Sequence, residues 1–122
     1  MSPPTLLIGE RDPFMRRALE QTLKDQFELR FADGGDDLVE LARQQPPDLV
    51  ITEAILPRRD GLQACRALKS DPATRLIPVL CFTFLLIEER AQLAGADAFL
   101  LKPLREEVLI ETIHQLLSQR KE

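Results

Sequence analysis

Glu53 is the first side chain in this sequence whose type and position suggest chemistry. It follows Leu49, Val50, Ile51 and Thr52, near the middle of residues 48–61. That short, partly β-branched apolar run has the pattern of a strand buried on both faces. A carboxylate at the C-terminal end of a central parallel strand lies in the crevice where open α/β sheets bind ligands. Pro57 and the Asp60-Gly61 pair then mark a loop before the next helical pattern. Two other reactive residue types are less informative. Cys65 and Cys81 lack metal-type spacing and are expected as buried free thiols of a reducing compartment. His114 has no partner at metal spacing and is expected at the surface or half-buried in the last helix.

The elements that must position Glu53 follow from periodicity and turn chemistry. Residues 5–8 form a predicted first strand, bounded by Pro3-Pro4 and Gly9. Asp12-Pro13 supplies an N-cap and a first-turn proline, and Met15, Leu19, Thr22 and Leu23 recur at helical spacing to about Gln26. Residues 28–32 form a second strand, and Asp33-Gly34-Gly35 turns the chain. Leu38, Val39, Leu41 and Ala42 predict a short helix that stops before Pro46-Pro47. The third strand leads to Glu53; Leu62, Cys65 and Leu68 stripe a third helix, ended by Ser70-Asp71-Pro72. Residues 77–82 are a fourth buried strand, 88–94 a short helix closing at Gly95, and 98–101 a fifth strand. Val108, Ile113, Leu116 and Leu117 mark the last helix. Five strand-then-helix units in strict alternation predict a doubly wound parallel sheet with helices on both faces.

Length and composition bound the function. The 122 residues are one domain's worth, with a core expected over about 5–117 and a tail or linker start at 118–122. Apolar residues at 44% and charged residues at 30% are an ordinary globular balance. A net charge of −4 gives no basic surface for direct nucleic-acid binding. No apolar run approaches the roughly 20 residues of a membrane span, and no signal-peptide pattern opens the chain, so a cytoplasmic domain is expected.

The segment around Glu53 resembles the phospho-acceptor segment of bacterial two-component response-regulator receiver domains. In that family an Asp ends the third strand, and a Pro four residues later leads into a loop closed by Asp-Gly. Pro57 and Asp60-Gly61 keep that spacing, with Glu53 at the acceptor position. The resemblance covers nearly the whole chain and implies the flavodoxin-like strand order 2-1-3-4-5. It places Thr83 at the family's Thr or Ser position, with Phe84 where a small residue is usual, so that the ring is expected to narrow access to the pocket. Lys102-Pro103, preceded by Gly95-Ala96-Asp97, matches the family's Lys-Pro. That Lys binds the acceptor carboxylate and the phosphoryl group, and its bond to Pro is often cis. Phe99 takes the aromatic switch position. The family's two adjacent acids, which with the acceptor Asp hold Mg²⁺, correspond here to Glu10-Arg11, Asp12 being aligned with the helix cap.

These departures change the charge of the site. Three carboxylates against one lysine become Glu10 and Glu53 against Arg11 and Lys102. Arg11 is expected about where the metal would sit, and Arg11 or Lys102 is expected to pair with Glu53, leaving the site neutral without metal. Mg²⁺ binding is expected to be weak or absent, with no other cofactor and no turnover. Glu53 has two readings: a partial mimic of the activated state, with its carboxylate reaching toward the phosphoryl position, or a filler that satisfies Lys102. Arg58-Arg59 is expected as a solvated loop that adds positive charge beside the site. The run Phe84-Leu85-Leu86-Ile87 either exposes apolar surface for a partner or is buried as it leaves the sheet. The interval from Thr83 to Gly95 is shorter than usual in the family, so the fourth helix or its loop is curtailed, and with it the face that carries the family's partner contacts.

The function expected is a phosphorylation-independent signalling and protein-interaction module, an atypical receiver. Its expected partners are proteins, either a signalling kinase or an output protein, with homodimerisation left open and no nucleic acid or membrane. The alternative is a working receiver that takes phosphate from a histidine kinase with Mg²⁺ at a non-standard residue such as Glu53 or Asp12. A weaker alternative is a small-ligand sensor, although no Gly-rich phosphate loop follows the first strand.

Overall fold

The computed structural model describes residues 2–119. Strands and helices alternate along them as β1 (Thr5–Gly9), α1 (Pro13–Leu23), β2 (Glu28–Ala32), α2 (Gly35–Gln44) and β3 (Leu49–Thr52). Then come α3 (Gly61–Lys69), β4 (Val79–Thr83), α4 (Glu88–Leu93), β5 (Ala98–Leu101) and α5 (Glu106–Gln119). The five strands form one sheet in the order β2-β1-β3-β4-β5, and every neighbouring pair is parallel. This is the doubly wound, flavodoxin-like arrangement, and among the described residues no helix is long and apolar enough to cross a membrane.

Strand alternation sorts the apolar residues into two layers. Leu7, Val50, Val79 and Cys81 face one side and pack with Leu38, Val39, Leu62, Leu68 and Ala91 of α2, α3 and α4. Their neighbours Leu6, Ile8, Leu49, Ile51, Leu80 and Phe82 face the other, against Leu19 and Leu23 of α1 and Leu109, Ile113 and Leu116 of α5. Both sheet faces are thus covered, which is why the central strands read as unbroken apolar runs.

Local boundaries depart from the periodic reading where backbone chemistry intervenes. Helix α1 stops at Leu23 rather than Gln26, because the amides of Gln26 and Phe27 both return to the Leu23 carbonyl and turn the buried Phe27 into the core. Strand β4 begins at Val79 rather than residue 77. Pro78 has no N–H for the ladder, and the Ile77 amide is already bonded to the Thr74 carbonyl. Helix α5 runs through Ser118 and Gln119, so these two residues are helix rather than tail; 120–122 lie outside the described residues. Helix α4 has 6 residues, against 9 to 14 in the other four.

Candidate functional site

The register of the sheet brings the strand ends together. Gly9 pairs with Thr52 across β1 and β3, and Thr83 with Leu101 across β4 and β5. The residues that follow three of these ends are Glu10, Glu53 and Lys102, and Thr83 closes the fourth. Backbone bonds continue the ladder one step beyond the strands: Glu53 N–H to the Gly9 carbonyl at 2.9 Å and Lys102 N–H to the Thr83 carbonyl at 2.8 Å. The side chains therefore leave a rigid frame at one edge, in the crevice where parallel sheets bind ligands.

Lys102 is the centre of the cluster. Its Nζ donates to Glu10 Oε1 and to Glu53 Oε1, each at 2.8 Å, and the three side chains are only 4%, 5% and 11% exposed. The other Glu53 oxygen, Oε2, accepts from Thr83 Oγ1 at 2.5 Å, from Ala54 N–H at 2.6 Å and from Ile55 N–H at 3.1 Å. Glu10 Oε2 accepts from the Asp12 amide at 3.2 Å, and Asp12 caps α1 through Phe14 N–H. Among the described residues no buried side-chain nitrogen or oxygen lacks a partner.

Electrostatics follow from these contacts. Burial pushes the Glu53 carboxyl up, but the hydrogen bonds from Lys102, Thr83 and Ile55 N–H, with the Lys102 charge, outweigh it and hold the group below its ordinary value. Burial likewise pushes Lys102 down, and its hydrogen bonds to Glu10 and Glu53 with their charges outweigh that, leaving the ammonium above its ordinary value. With Glu53 lowered and Lys102 raised, both are ionised at neutral pH and face each other as an ion pair.

Arg11 corrects the expectation of a two-against-two site. It is exposed, makes no ion pair among the described residues, and takes no part in the Glu10–Lys102–Glu53 cluster. Lys102 already pairs with both carboxylates, and burying a second cation without a partner of its own is unfavourable. The two carboxylates close on an ammonium, and among the described residues no three His, Cys, Asp or Glu side chains cluster to hold a metal ion. The pairing of Glu10 with Lys102, 92 residues apart, was not anticipated. Nor were the Ala54 and Ile55 amides, since backbone donors have no residue-type signature.

The remaining sequence candidates fall around this cluster. The Phe84 ring is 65% exposed, with its centroid 5.6 Å from Lys102 Nζ, so it flanks the ammonium on the solvent side. The Lys102–Pro103 peptide is cis, and Phe99 is partly buried against the α2/α3/α4 layer. The loop closure read from Asp60-Gly61 has a steric cause: a Cβ on Gly61 would lie 2.0 Å from the Glu53 carbonyl oxygen. Asp60 caps α3 through Gln63 N–H at 2.8 Å. Arg58 and Arg59 are tied to Asp37 and Asp36 of α2 rather than simply solvated. Cys65 and Cys81 are buried free thiols that burial pushes up to about 11 and about 12. His114 is exposed, its Nε2 2.9 Å from Gln26 Oε1.

Comparison with known proteins agrees with this frame. Residues 6–114 match the model of the response regulator receiver domain. The chain is 34% identical over 98% of its length to the transcriptional regulatory protein PdtaR of Mycobacterium tuberculosis and spans 60% of that protein. It is 31% identical to the chemotaxis protein CheY of Halobacterium salinarum, covering 97% of this chain and 99% of that one. The signal receiver domain of a signal transduction histidine kinase from Syntrophus aciditrophicus superposes with a TM-score of 0.89 at 32% identity, over 98% of this chain and 95% of the other. The chain belongs to the response regulator receiver domain family, and its setting is two-component signalling.

Proposed function

We propose that this receiver works as a phosphorylation-independent interaction module, with Glu53 holding the site permanently in one arrangement. The observation that carries the reading is the saturation of the Glu53 carboxylate. One oxygen is bound to Lys102 and the other to Thr83 and two backbone amides. A carboxylate can in principle attack a phosphoryl donor, but here its oxygens are committed. An attacking carboxylate needs a free oxygen aimed at the phosphorus, and neither Glu53 oxygen is free of a donor. On this reading there is no turnover, and Mg²⁺ binds weakly or not at all. Lys102 and Thr83 are organised by the chain itself rather than by a phosphoryl group, and the signal is read by a protein partner.

The test is intact-mass analysis after incubation with a small phosphodonor, with and without Mg²⁺, alongside the Glu53→Asp/Arg11→Asp double variant. The wild type is expected to remain unmodified and the double variant to gain one Mg²⁺-dependent phosphoryl group. Stoichiometric Mg²⁺-dependent labelling of the wild type would overturn the reading.

A further inference from the structure

The two loops that Glu53 holds also form the walls of an apolar groove. It opens beside the site with about 300 Å³ and is lined by Ala54, Ile55 and Leu56 of the β3–α3 loop, Leu62 of α3, Leu85 and Ile87 of the β4–α4 loop, and Arg90 of α4. Of its lining, Ala54, Leu56 and Leu62 are buried and Ile55 is 66% exposed, and Phe84 and Leu86, which flank Leu85 in the β4–α4 loop, add exposed apolar surface at 65% and 85%. The Glu53 carboxylate reaches both walls. Its Oε2 accepts from the Ala54 and Ile55 amides on one side and from Thr83 Oγ1 on the other, and Thr83 Oγ1 in turn accepts from Leu85 N–H at 3.3 Å.

We infer that this groove docks a protein segment that inserts apolar side chains between the two loops and places a carboxylate on Arg90. The inference rests on the phosphorylation-independent reading above and names the surface through which it acts. Three observations converge on that occupant. The exposed apolar side chains extend past the groove itself, so a small molecule filling the cavity would leave the rim uncovered, whereas a protein segment would cover both. Of the consecutive Glu88, Glu89 and Arg90 only the arginine lines the groove, and among the described residues it makes no ion pair. Asp60, the other charged lining residue, spends its carboxylate on the α3 cap. A guanidinium fork beside an apolar slot suits an acidic side chain next to apolar ones. Since the Glu53 hydrogen bonds span both walls, they set the groove's width, and docking is coupled to the site without any covalent change.

The test selects binders for the whole chain from a random linear peptide library displayed on phage. The selected sequences are synthesised, titrated by fluorescence anisotropy, and mapped by amide chemical shifts. The expected consensus is a pair of apolar residues next to Asp or Glu, with shifts at Ile55, Leu85, Ile87 and Arg90. Arg90→Glu should weaken these peptides by about tenfold, the loss of one charge-assisted contact, and a peptide with Lys in place of the acid should recover the loss. Leu85→Asp should abolish binding, and Glu53→Gln should weaken it while the thermal transition of Arg90→Glu stays that of the wild type. A consensus without an acid, shifts confined to the α4–β5–α5 face, failure to select any groove binder, or sedimentation showing that a second copy covers the Phe84–Leu86 rim would each overturn the inference. Peptides that avoid the groove, with a wild type inert to phosphodonor, overturn the groove alone. A wild type that labels overturns the underlying reading, whatever the peptides do.

Discussion

Two clusters of opposite charges hold loops at the same end of this sheet, and they differ in almost everything except chemistry. In the site, Lys102 bridges Glu10 and Glu53 at 2.8 Å with side chains 4 to 11% exposed. On the flank of α2, Arg58 meets Asp37 at 3.4 Å and Arg59 meets Asp36 at 3.0 Å, with side chains 37 to 57% exposed. Water screens the second cluster and pays the first no such attention. Removing one partner of a buried set strands a charge that cannot rehydrate, whereas removing one partner of an exposed pair merely returns the other to solvent. The comparison shows that separation alone says little about the worth of an ion pair.

The largest effect should come from Lys102→Met. It leaves two carboxylates facing each other in a buried site and should cost about 3–5 kcal/mol in urea denaturation. Adding Glu10→Gln should restore part of that loss by removing one of the stranded charges. A loss below about 1 kcal/mol would place the cluster with the exposed pairs and break the comparison.

Glu53→Gln comes next, at about 1–3 kcal/mol for a charge-assisted contact, and its signature is a pH profile. The Glu53 carboxyl lies below its ordinary value of 4.5 in the folded chain, so its contribution is present above that pH and is lost as pH falls through the lowered value. Lys102 lies above its ordinary 10.5, so its contribution is present below that pH and is lost as pH rises through the raised value. Stability curves of wild type and Glu53→Gln should therefore converge in acid, below pH 4.5. Curves that stay parallel there would mean that the charge of Glu53 is not what stabilises the site.

Arg59→Ala should change stability by less than about 1 kcal/mol, and added salt should shrink the difference further. Arg11→Ala should have the smallest effect, within about 0.5 kcal/mol, because the side chain is exposed and pairs with no carboxylate among the described residues. A loss from Arg11→Ala matching that from Glu53→Gln would restore the two-cation site that the sequence suggested.

The sequence alone determined the architecture and the position of the site. Apolar runs with helical stripes between them specify five strand–helix units, because each element must bury one face or two, and the period of its apolar residues records which. Glu53 was legible as a charge ending an apolar run and Pro57 with Asp60-Gly61 as turn residues, whereas Thr83 and Lys102 were picked out by the resemblance to receiver domains. The structure adds that a Cβ at Gly61 would meet the Glu53 carbonyl. Which cation serves which carboxylate was not legible. Arg11 adjoins Glu10 in the chain, yet Lys102, 92 residues away, holds it, because adjacent residues leave a strand end in different directions while parallel register aligns distant strand ends. The exposure of Phe84, Leu85 and Leu86 was equally undecided in sequence, since an apolar run reads the same whether a neighbouring element covers it or not. Only the tertiary structure decided these points, because partner choice and burial depend on contacts between residues far apart in the chain.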